Sequence, residues 1–177
     1  MSAIKSITYF GLYGRAETSR MCLWKAGVKH EDCKIEFKDW PALKPTTEFG
    51  SMPFVTLEDG TQIGQSIPMQ NYVAARCNLM PTDPSKRYCG EKCFEFIWGD
   101  IASQILPMLG VKGDDLKAAQ KKVCETIVPK FVAGVEKCLG DTKWLCGEEM
   151  CVYDMALGGI FCNMFGNKLC EPAYAME

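Results

Sequence analysis

The segment at residues 50–66, GSMPFVTLEDGTQIGQS, constrains the fold of this chain more than any other. Pro53 comes directly before the apolar run at 54–57, and a proline cannot donate a hydrogen bond to a sheet ladder. It must therefore stand at the start of a strand, at an edge or at a bulge, and its peptide bond is a candidate for the cis form. With the acidic turn at 58–60 and the short run to Ile63, the segment predicts a β-hairpin.

The same segment places an open strand beside the start of a helix. Because the residue before a proline is extended, the backbone N–H and C=O of Met52 are expected to face another extended peptide. Ser66, which follows Gln65, is a favourable N-cap for the next helix. A strand edge next to a helix N-terminus suits a small peptide that carries a carboxylate. The alternative is an ordinary hairpin and helix start with no ligand.

The composition argues against several classes of protein. A chain of 177 residues can form one large domain or two small ones with a buried core. The net charge of −2 gives no electrostatic footprint for nucleic acid or an anionic membrane. No apolar run approaches the roughly 20 residues of a membrane span. The first ten residues lack the apolar stretch of a secretory signal, so a cytoplasmic protein is expected.

The chain contains 11 cysteines, a high and odd number. Without a secretory signal, most are expected to be reduced thiols that serve as small core residues. No metal site is predicted, because no C-x-x-C occurs and His30 is the single histidine. A thioredoxin-type redox site is also excluded, since no cysteine lies between Tyr9 and Arg20.

The first eighty residues predict an α/β unit with the element order βαβαββα. Residues 3–10 predict a strand, and the crossover to the second strand predicts parallel pairing. The further elements predicted before and after the hairpin are a helix at 15–27, a strand at 28–37 centred on CKIEF, a short helix or turn at 38–44 and a helix at 67–79.

The second half predicts helices alone. The stretch MPTDPS at 80–85 is the clear break in composition and predicts a linker. Apolar residues at helical spacing then predict helices at 86–109, at 114–139 with a kink at Pro129, and at 152–165. The predicted domains are an α/β domain at 1–80, a linker at 81–86 and an all-helical domain at 87–177.

Several short motifs follow one another at defined spacing. They are YF-x-x-x-GRAE at 9–17, DWP-x-x-K at 39–44, FG-x-MP at 49–53, DG at 59–60, QS at 65–66 and WLCGEEMCVYDMAL at 144–157. Each motif is weak alone, but their order and spacing resemble the cytosolic glutathione transferases, most of all the sigma type with its mu and pi relatives. The resemblance covers residues 3–165 and implies a thioredoxin-like N-terminal domain followed by an all-α domain.

The resemblance implies an enzyme that conjugates glutathione to hydrophobic electrophiles. Tyr9 would donate its phenolic hydrogen to the glutathione sulfur, which favours the thiolate by roughly 1.5–3 kcal/mol. Arg15 would add positive charge beside it. The other positions implied to bind glutathione are Trp40 and Lys44 at the glycyl end, Met52 and Pro53 at the cysteinyl part, and Gln65, Ser66 and Asp100 at the γ-glutamyl end. Glutathione is then a co-substrate, with no cofactor.

The resemblance also implies a pocket for the electrophile between the domains. Its apolar and aromatic character suits a hydrophobic substrate. The candidate positions are Phe10, Leu12, Tyr13, Trp98, Ile101, Gln104 and Met108. For each of these positions the alternative is ordinary core packing. For Ile101 the two interpretations have equal weight. In such dimers Asp100 would serve the site of the neighbouring subunit, so a homodimer is implied.

The chain departs from the family pattern at positions that bear on function. Tyr13 stands where the sigma type often has arginine, which changes the electrophile pocket. Cys151 replaces the serine or threonine that caps a helix, so Asp154 is left to cap it alone. The chain ends at Glu177, whereas family members continue through helices that border the pocket. The resemblance therefore implies a short C-terminal half.

The sequence leaves alternative functions open. The first is a cytoplasmic, dimeric detoxification enzyme in which Tyr9 activates glutathione. The second is a non-catalytic structural or complex subunit, which the short helical half and the many cysteines favour. The third is a prostaglandin-type isomerase, which the likeness to the sigma type implies.

Overall fold

A mixed sheet in the order β2-β1-β3-β4 organises the first part of the chain. Its strands are β1 (Ile4–Phe10), β2 (Glu31–Ile35), β3 (Phe54–Leu57) and β4 (Gln62–Ile63). β1 runs parallel to β2 and antiparallel to β3, so it is a central strand. The predicted strands, the parallel first pair and the hairpin of β3 and β4 are therefore confirmed.

β2 is shorter than the sequence predicts. The pattern predicts a strand centred on 33–37, whereas β2 ends at Ile35. β2 is an edge strand, and its neighbour β1 ends at Phe10, which pairs with Ile35. Residues beyond Ile35 have no neighbouring strand to pair with, and Phe37 is 68% exposed.

The helices of this part are α1 (Glu17–Lys25), α2 (Trp40–Leu43) and α3 (Ser66–Arg76). α1 and α3 pack against each other. The core between sheet and helices is formed by fully buried side chains, namely Ile7, Leu23, Val55, Met69 and Val73. Burial of each contributes roughly 1.5–3 kcal/mol, so these helices are held by their apolar faces.

The computed structural model describes residues 2–108 and 110–165, without the side chains of 162–165. Internal packing divides the chain into two units, one up to Met80 and one from Pro81. The expectation about the C-terminal end falls on residues 166–177, which lie outside the described residues. Among the helices that are described, none has the length and apolar character that a membrane crossing requires.

The second unit is helical. Its helices are α4 (Pro84–Glu95), α5 (Ser103–Ile105), α6 (Asp114–Lys122), α7 (Val128–Leu139) and α8 (Val152–Phe165). α4 begins inside the stretch predicted as linker, because Asp83 is a good N-cap and accepts a hydrogen bond from the Lys86 N–H at 2.9 Å. A Cβ atom added to Gly90 would lie 2.0 Å from the Tyr153 ring, so this glycine lets α4 approach α8.

Two wide-turn π-helical segments interrupt the helices of this unit, at Phe96–Ala102 and Val123–Ile127. The second comes directly before the first turn of α7, which contains Pro129. A proline has no N–H to bond the carbonyl four residues earlier, which here belongs to Glu125 within the wide turn. The distortion predicted at Pro129 thus takes the form of a wide turn just before it.

Asp154 fixes the start of α8. Its Oδ2 accepts a hydrogen bond from the Cys151 N–H at 2.9 Å, and its Oδ1 accepts one from the Leu145 N–H at 2.8 Å. The first bond is the acidic half of a capping box, formed although Cys151 cannot supply the hydroxyl half. Asp154 therefore also ties the preceding loop to the helix.

Replacing Asp154 by alanine should lower the free energy of unfolding by about 1–3 kcal/mol, because both N–H groups lose a charged acceptor. Thermal unfolding should show a decrease in Tm of roughly 2–4 °C per kcal/mol. The matched control is Asp141→Ala, which removes an exposed aspartate of the same unit and should leave Tm unchanged. Equal effects of the two substitutions would contradict the capping role.

Candidate functional site

Tyr9 lies next to the end of β1, and its ring is largely buried. The turn Gly14–Ala16 packs on this ring, since a Cβ atom added to Gly14 would lie 2.8 Å from the Tyr9 hydroxyl oxygen. Gly14 also has a φ of +44°, in the left-handed region that favours glycine. The glycine of the GRAE motif is therefore required where the chain passes the phenol.

Arg20 on α1 ties down the loop that follows Tyr9. Its Nη1 donates to the carbonyl oxygen of Leu12 at 2.9 Å and approaches the Glu17 carboxylate at 3.4 Å. Its Nε donates to Asp32 Oδ1 at 3.0 Å. One guanidinium thus joins the helix, the loop and strand β2. Sequence analysis missed this role, because partners so far apart in the chain leave no local pattern.

The loop held by Arg20 carries further predicted site residues. Leu12 and Tyr13 are 42% and 59% exposed, and Arg15, in the turn after them, is exposed as well. These positions come within a few residues of Tyr9, at the same end of β1. The exposed side chains of Leu12 and Tyr13 provide an apolar surface at this end of β1 to which an apolar molecule can bind.

The Met52–Pro53 peptide bond is cis. β3 begins at Phe54, which pairs with Thr8, so extending the register by one residue brings Pro53 beside Tyr9. The backbone N–H and carbonyl of Met52 form no hydrogen bond with another described residue. A strand edge open to an extended peptide therefore lies near the phenol.

Thr47 shapes the loop that leads to this edge. It is buried, its Oγ1 donates to the Lys44 carbonyl at 2.9 Å, and the same oxygen accepts from the Ser51 N–H at 3.1 Å. The side chain of Lys44 passes over Gly50, where its Cε lies 3.3 Å from the position of an added Cβ. Sequence analysis also missed Thr47, although threonine hydroxyl groups can hydrogen-bond to nearby backbone groups in turns.

Trp40 is the first residue of α2 and is half-buried. Its ring meets the Phe10 ring edge-on, with the centroids 6.1 Å apart. Phe10 is the last residue of β1, so this contact brings Trp40 to the end of the sheet where Tyr9 lies. Phe10 also stacks on Phe37, which sequence analysis did not select.

Gln65 has a φ of 61° and a ψ of 120°, an unfavourable conformation for a residue with a side chain. It occupies the position before α3 and makes no side-chain cap, so the predicted N-cap role of Ser66 is wrong by one position. Ser66 instead begins the helix. Backbone strain of this kind costs roughly 1–3 kcal/mol and is concentrated at binding and active sites.

The other predicted positions lie in the helical unit and are described within it. Trp98, Asp100 and Ile101 lie on the wide-turn segment Phe96–Ala102, a helical form that is frequent at functional sites. Trp98 is half-buried, Asp100 is exposed and Ile101 is fully buried. The burial of Ile101 matches the core packing that the sequence left as an equal alternative.

Gln104 and Met108 continue this helix. The Gln104 side chain donates to the carbonyl oxygen of Asp100, one turn earlier. Met108 is half-buried at the end of the short 3₁₀ turn Leu106–Met108. Leu109, the last residue of the helix predicted at 86–109, lies outside the described residues.

Burial makes some of the described cysteines poor nucleophiles. Of the nine cysteines whose side chains are described, four are buried and five are partly exposed. Fewer cysteines are therefore core residues than the sequence predicts. Burial raises the pKa of both Cys22 and Cys93 to about 12, which keeps them as thiols near neutral pH. Within residues 2–108 and 110–165, no group of His, Cys, Asp and Glu side chains could hold a metal ion.

Several known proteins are similar to this chain in sequence. Hematopoietic prostaglandin D synthase of Gallus gallus is 31% identical over 144 residues, which cover 81% of this chain and 71% of that protein. The glutathione S-transferase class-mu 28 kDa isozyme of Schistosoma mansoni is 37% identical over 157 residues, 85% of this chain and 74% of the relative. No protein-family model matches the chain.

A solved structure gives the same fold. The glutathione S-transferase from Ascaris lumbricoides superposes with a TM-score of 0.80 at 24% identity, over 97% of this chain and 85% of that one. Together with the identity to the relatives above, the thioredoxin-like sheet and the helical unit establish the family. The chain belongs to the cytosolic glutathione S-transferases.

Replacing Gly14 by alanine should reduce turnover, because the new methyl group would collide with the Tyr9 phenol. The control is Gly27→Ala, since Gly27 also has a positive φ but an added Cβ there meets nothing within 4 Å. Both variants should lose about 1–2 kcal/mol of stability from the left-handed backbone. Only Gly14→Ala should lower kcat/KM by more than its smaller folded fraction explains. If the two variants are equally active, Gly14 is not required to make room for the Tyr9 phenol.

Replacing Arg20 by lysine should loosen the loop at 11–13, because an ammonium cannot bond Leu12, Glu17 and Asp32 at once. We expect a loss of about 1–3 kcal/mol in unfolding free energy and faster amide hydrogen exchange in that loop. Arg87→Lys is the control, because its pair with Glu91 is 45% and 49% exposed, against 14% for the Arg20 side chain. An Arg20 variant no weaker than the control would argue against the loop clamp.

Proposed function

We propose that this chain conjugates glutathione to hydrophobic electrophiles, with Tyr9 stabilising the reactive thiolate. The observation that carries the proposal is the buried Tyr9 phenol at the end of β1, beside cis-Pro53 and the open backbone of Met52. Membership in the glutathione S-transferase family supports the same chemistry. The glutathione sulfur would lie against the phenol while its cysteinyl part pairs with Met52.

The phenol would act on the ionisation of glutathione. A free thiol has a pKa of about 8.5 and is mostly protonated at neutral pH. A hydrogen bond to the charged form is worth roughly 1.5–3 kcal/mol, or about one to two pKa units. Thiolate then becomes a major species, its sulfur attacks the electrophilic carbon, and a C–S bond forms while the leaving group departs with its electron pair. Holding both reactants together supplies much of the acceleration.

The two ends of glutathione would be bound separately. Gln65 and Ser66 would hold the γ-glutamyl carboxylate at the start of α3, where backbone N–H groups lack intrahelical partners. The strained backbone of Gln65 supports this role, since such strain is retained where it serves binding. Trp40 and Lys44 would contact the glycyl end, on the loop that Thr47 shapes.

The electrophile would bind beside the sulfur, against apolar side chains. In the first unit these are Phe10, Leu12 and Tyr13, with Arg15 adding positive charge near the thiolate. In the second unit we propose Trp98, Ile101, Gln104 and Met108. The exposed faces of Leu12 and Tyr13 support the first set, and the wide turn at Phe96–Ala102 supports the second.

Further parts of the proposal concern the assembly. We propose a glutathione-binding domain at 1–80, a linker at 81–86 and a helical domain at 87–177, which the division of packing after Met80 supports. We also propose a cytoplasmic, sigma-type detoxification enzyme that forms a homodimer, in which the exposed Asp100 would meet the glutamyl ammonium of the neighbouring subunit.

Replacing Tyr9 by phenylalanine tests the catalytic role directly. With 1-chloro-2,4-dinitrobenzene as electrophile, kcat/KM should fall by about 10- to 150-fold, the equivalent of the lost hydrogen bond. The pKa of bound glutathione, followed by thiolate absorbance, should rise because the phenol stabilised the anion. Tyr72→Phe, which removes a hydroxyl that accepts from Arg76, is the control and should behave as the wild type.

The outcomes separate the hypotheses. A Tyr9→Phe variant with full activity would refute the role of the phenol. A wild-type protein that is neither retained on immobilised glutathione nor active would refute the transferase and favour a structural subunit. The likeness to the Gallus gallus hematopoietic prostaglandin D synthase favours a second candidate, a prostaglandin-type isomerase. Product analysis with a prostaglandin precursor decides it.

A further inference from the structure

Thr47 is a buried polar residue in the segment that joins α2 to β3. Its side chain forms two hydrogen bonds, since Oγ1 donates to the Lys44 carbonyl at 2.9 Å and accepts from the Ser51 N–H at 3.1 Å. Its backbone forms two more, because its N–H donates to the same Lys44 carbonyl and its carbonyl accepts from the Gly50 N–H, each at 3.3 Å. One residue therefore ties both ends of the segment 44–51 together.

The two ends of this segment carry two proposed contacts of glutathione. Lys44 begins the segment and is proposed to contact the glycyl end, whereas Met52 directly follows the segment and is proposed to pair with the cysteinyl part. The Lys44 side chain also crosses the segment, because its Cε lies 3.3 Å and its Cγ 3.6 Å from the position of a Cβ atom added to Gly50. The hydrogen bonds of Thr47 therefore set where Lys44 lies relative to the backbone of Met52.

We propose that Thr47 is a positioning residue, which sets the spacing between Lys44 and Met52 and thereby makes the site select glutathione over γ-glutamylcysteine. The proposal rests on the function proposed above and concerns the selectivity of the same site. γ-Glutamylcysteine contains the γ-glutamyl and cysteinyl parts of glutathione, but it lacks the glycine that Lys44 would contact. A fixed spacing between the two contacts therefore favours the tripeptide alone.

The hydroxyl group of Thr47 carries this role because ordering a loop during binding subtracts from the affinity that its contacts supply. Without that hydroxyl group, the Ser51 N–H loses its acceptor and the segment 44–51 is no longer closed by a side chain. A peptide that contacts both ends of the segment then loses more affinity than a peptide that contacts Met52 alone. Thr47 acts only through these two residues, so the step at the sulfur is unaffected.

The test measures kcat and KM for both peptides with 1-chloro-2,4-dinitrobenzene as electrophile. Thr47→Val keeps the branched shape of the side chain but removes its hydroxyl group. KM for glutathione should rise by about 2- to 12-fold relative to KM for γ-glutamylcysteine, which corresponds to the net contribution of one neutral hydrogen bond. The kcat values should stay within about twofold of the wild type, and the Ser51 amide hydrogen should exchange faster.

Two further substitutions at the same position make the test specific. Thr47→Ser retains the hydroxyl group and should keep the wild-type preference for glutathione. Thr47→Ala should lose the preference as Thr47→Val does, and it takes the place of Thr47→Val if that variant does not fold. The matched control is Thr46→Val, because the exposed Thr46 donates to the Leu43 carbonyl at 2.8 Å, on its own side of the segment. It should leave the preference unchanged.

The results separate the role of Thr47 from the function on which it rests. The role is refuted if Thr47→Val raises KM equally for both peptides, changes the preference no more than Thr46→Val, or lowers kcat alone. A wild-type protein that turns over glutathione without preferring it to γ-glutamylcysteine also refutes the role, while the transferase stands. If the wild-type protein turns over neither peptide and is not retained on immobilised glutathione, the proposed function itself is refuted.

Discussion

The structure of the site depends on the pairing of β1 with a strand on each side and on where that pairing ends. β2 stops opposite Phe10, and β3 starts at Phe54, directly after cis-Pro53. Both ladders therefore end at one point of the sheet. Tyr9 lies at this end of β1, and the backbone of Met52, just before the start of β3, has no strand partner among the described residues. A proline at that position also keeps the open edge from extending into a longer ladder.

The pieces around this point are held by contacts between residues far apart in the chain. Arg20 reaches from α1 to the loop after Tyr9 and to Asp32 on β2. Thr47 closes the loop before Met52, because its hydroxyl group donates one hydrogen bond to Lys44 and accepts another from Ser51. Neither residue would touch glutathione in the proposed arrangement. Their hydrogen bonds instead restrict the two loops around the site, and such restriction lowers the cost of ordering the loops when a ligand binds.

Two kinds of surface adjoin at the end of the sheet. The backbone of Met52 and the strained Gln65 before α3 are polar and suit a peptide with a carboxylate. The rings of Phe10 and Phe37 are apolar and partly open to solvent. A conjugation reaction needs this combination, because a charged peptide and a hydrophobic electrophile must approach the same sulfur.

The sequence by itself determined the fold class, the strands and helices, and the positions of the motifs, because these depend on local periodicity and on residues with special backbone needs. Pro53 and the GRAE glycine are such residues. The capping role of Asp154 was predicted from the resemblance to the family, and its hydrogen bond to the Cys151 N–H confirms it. Only the tertiary structure decided the end of β2, the strain at Gln65 and the contact of Phe37 with Phe10. Those features depend on where a neighbouring strand stops or a distant ring lies, and no spacing within one segment records that.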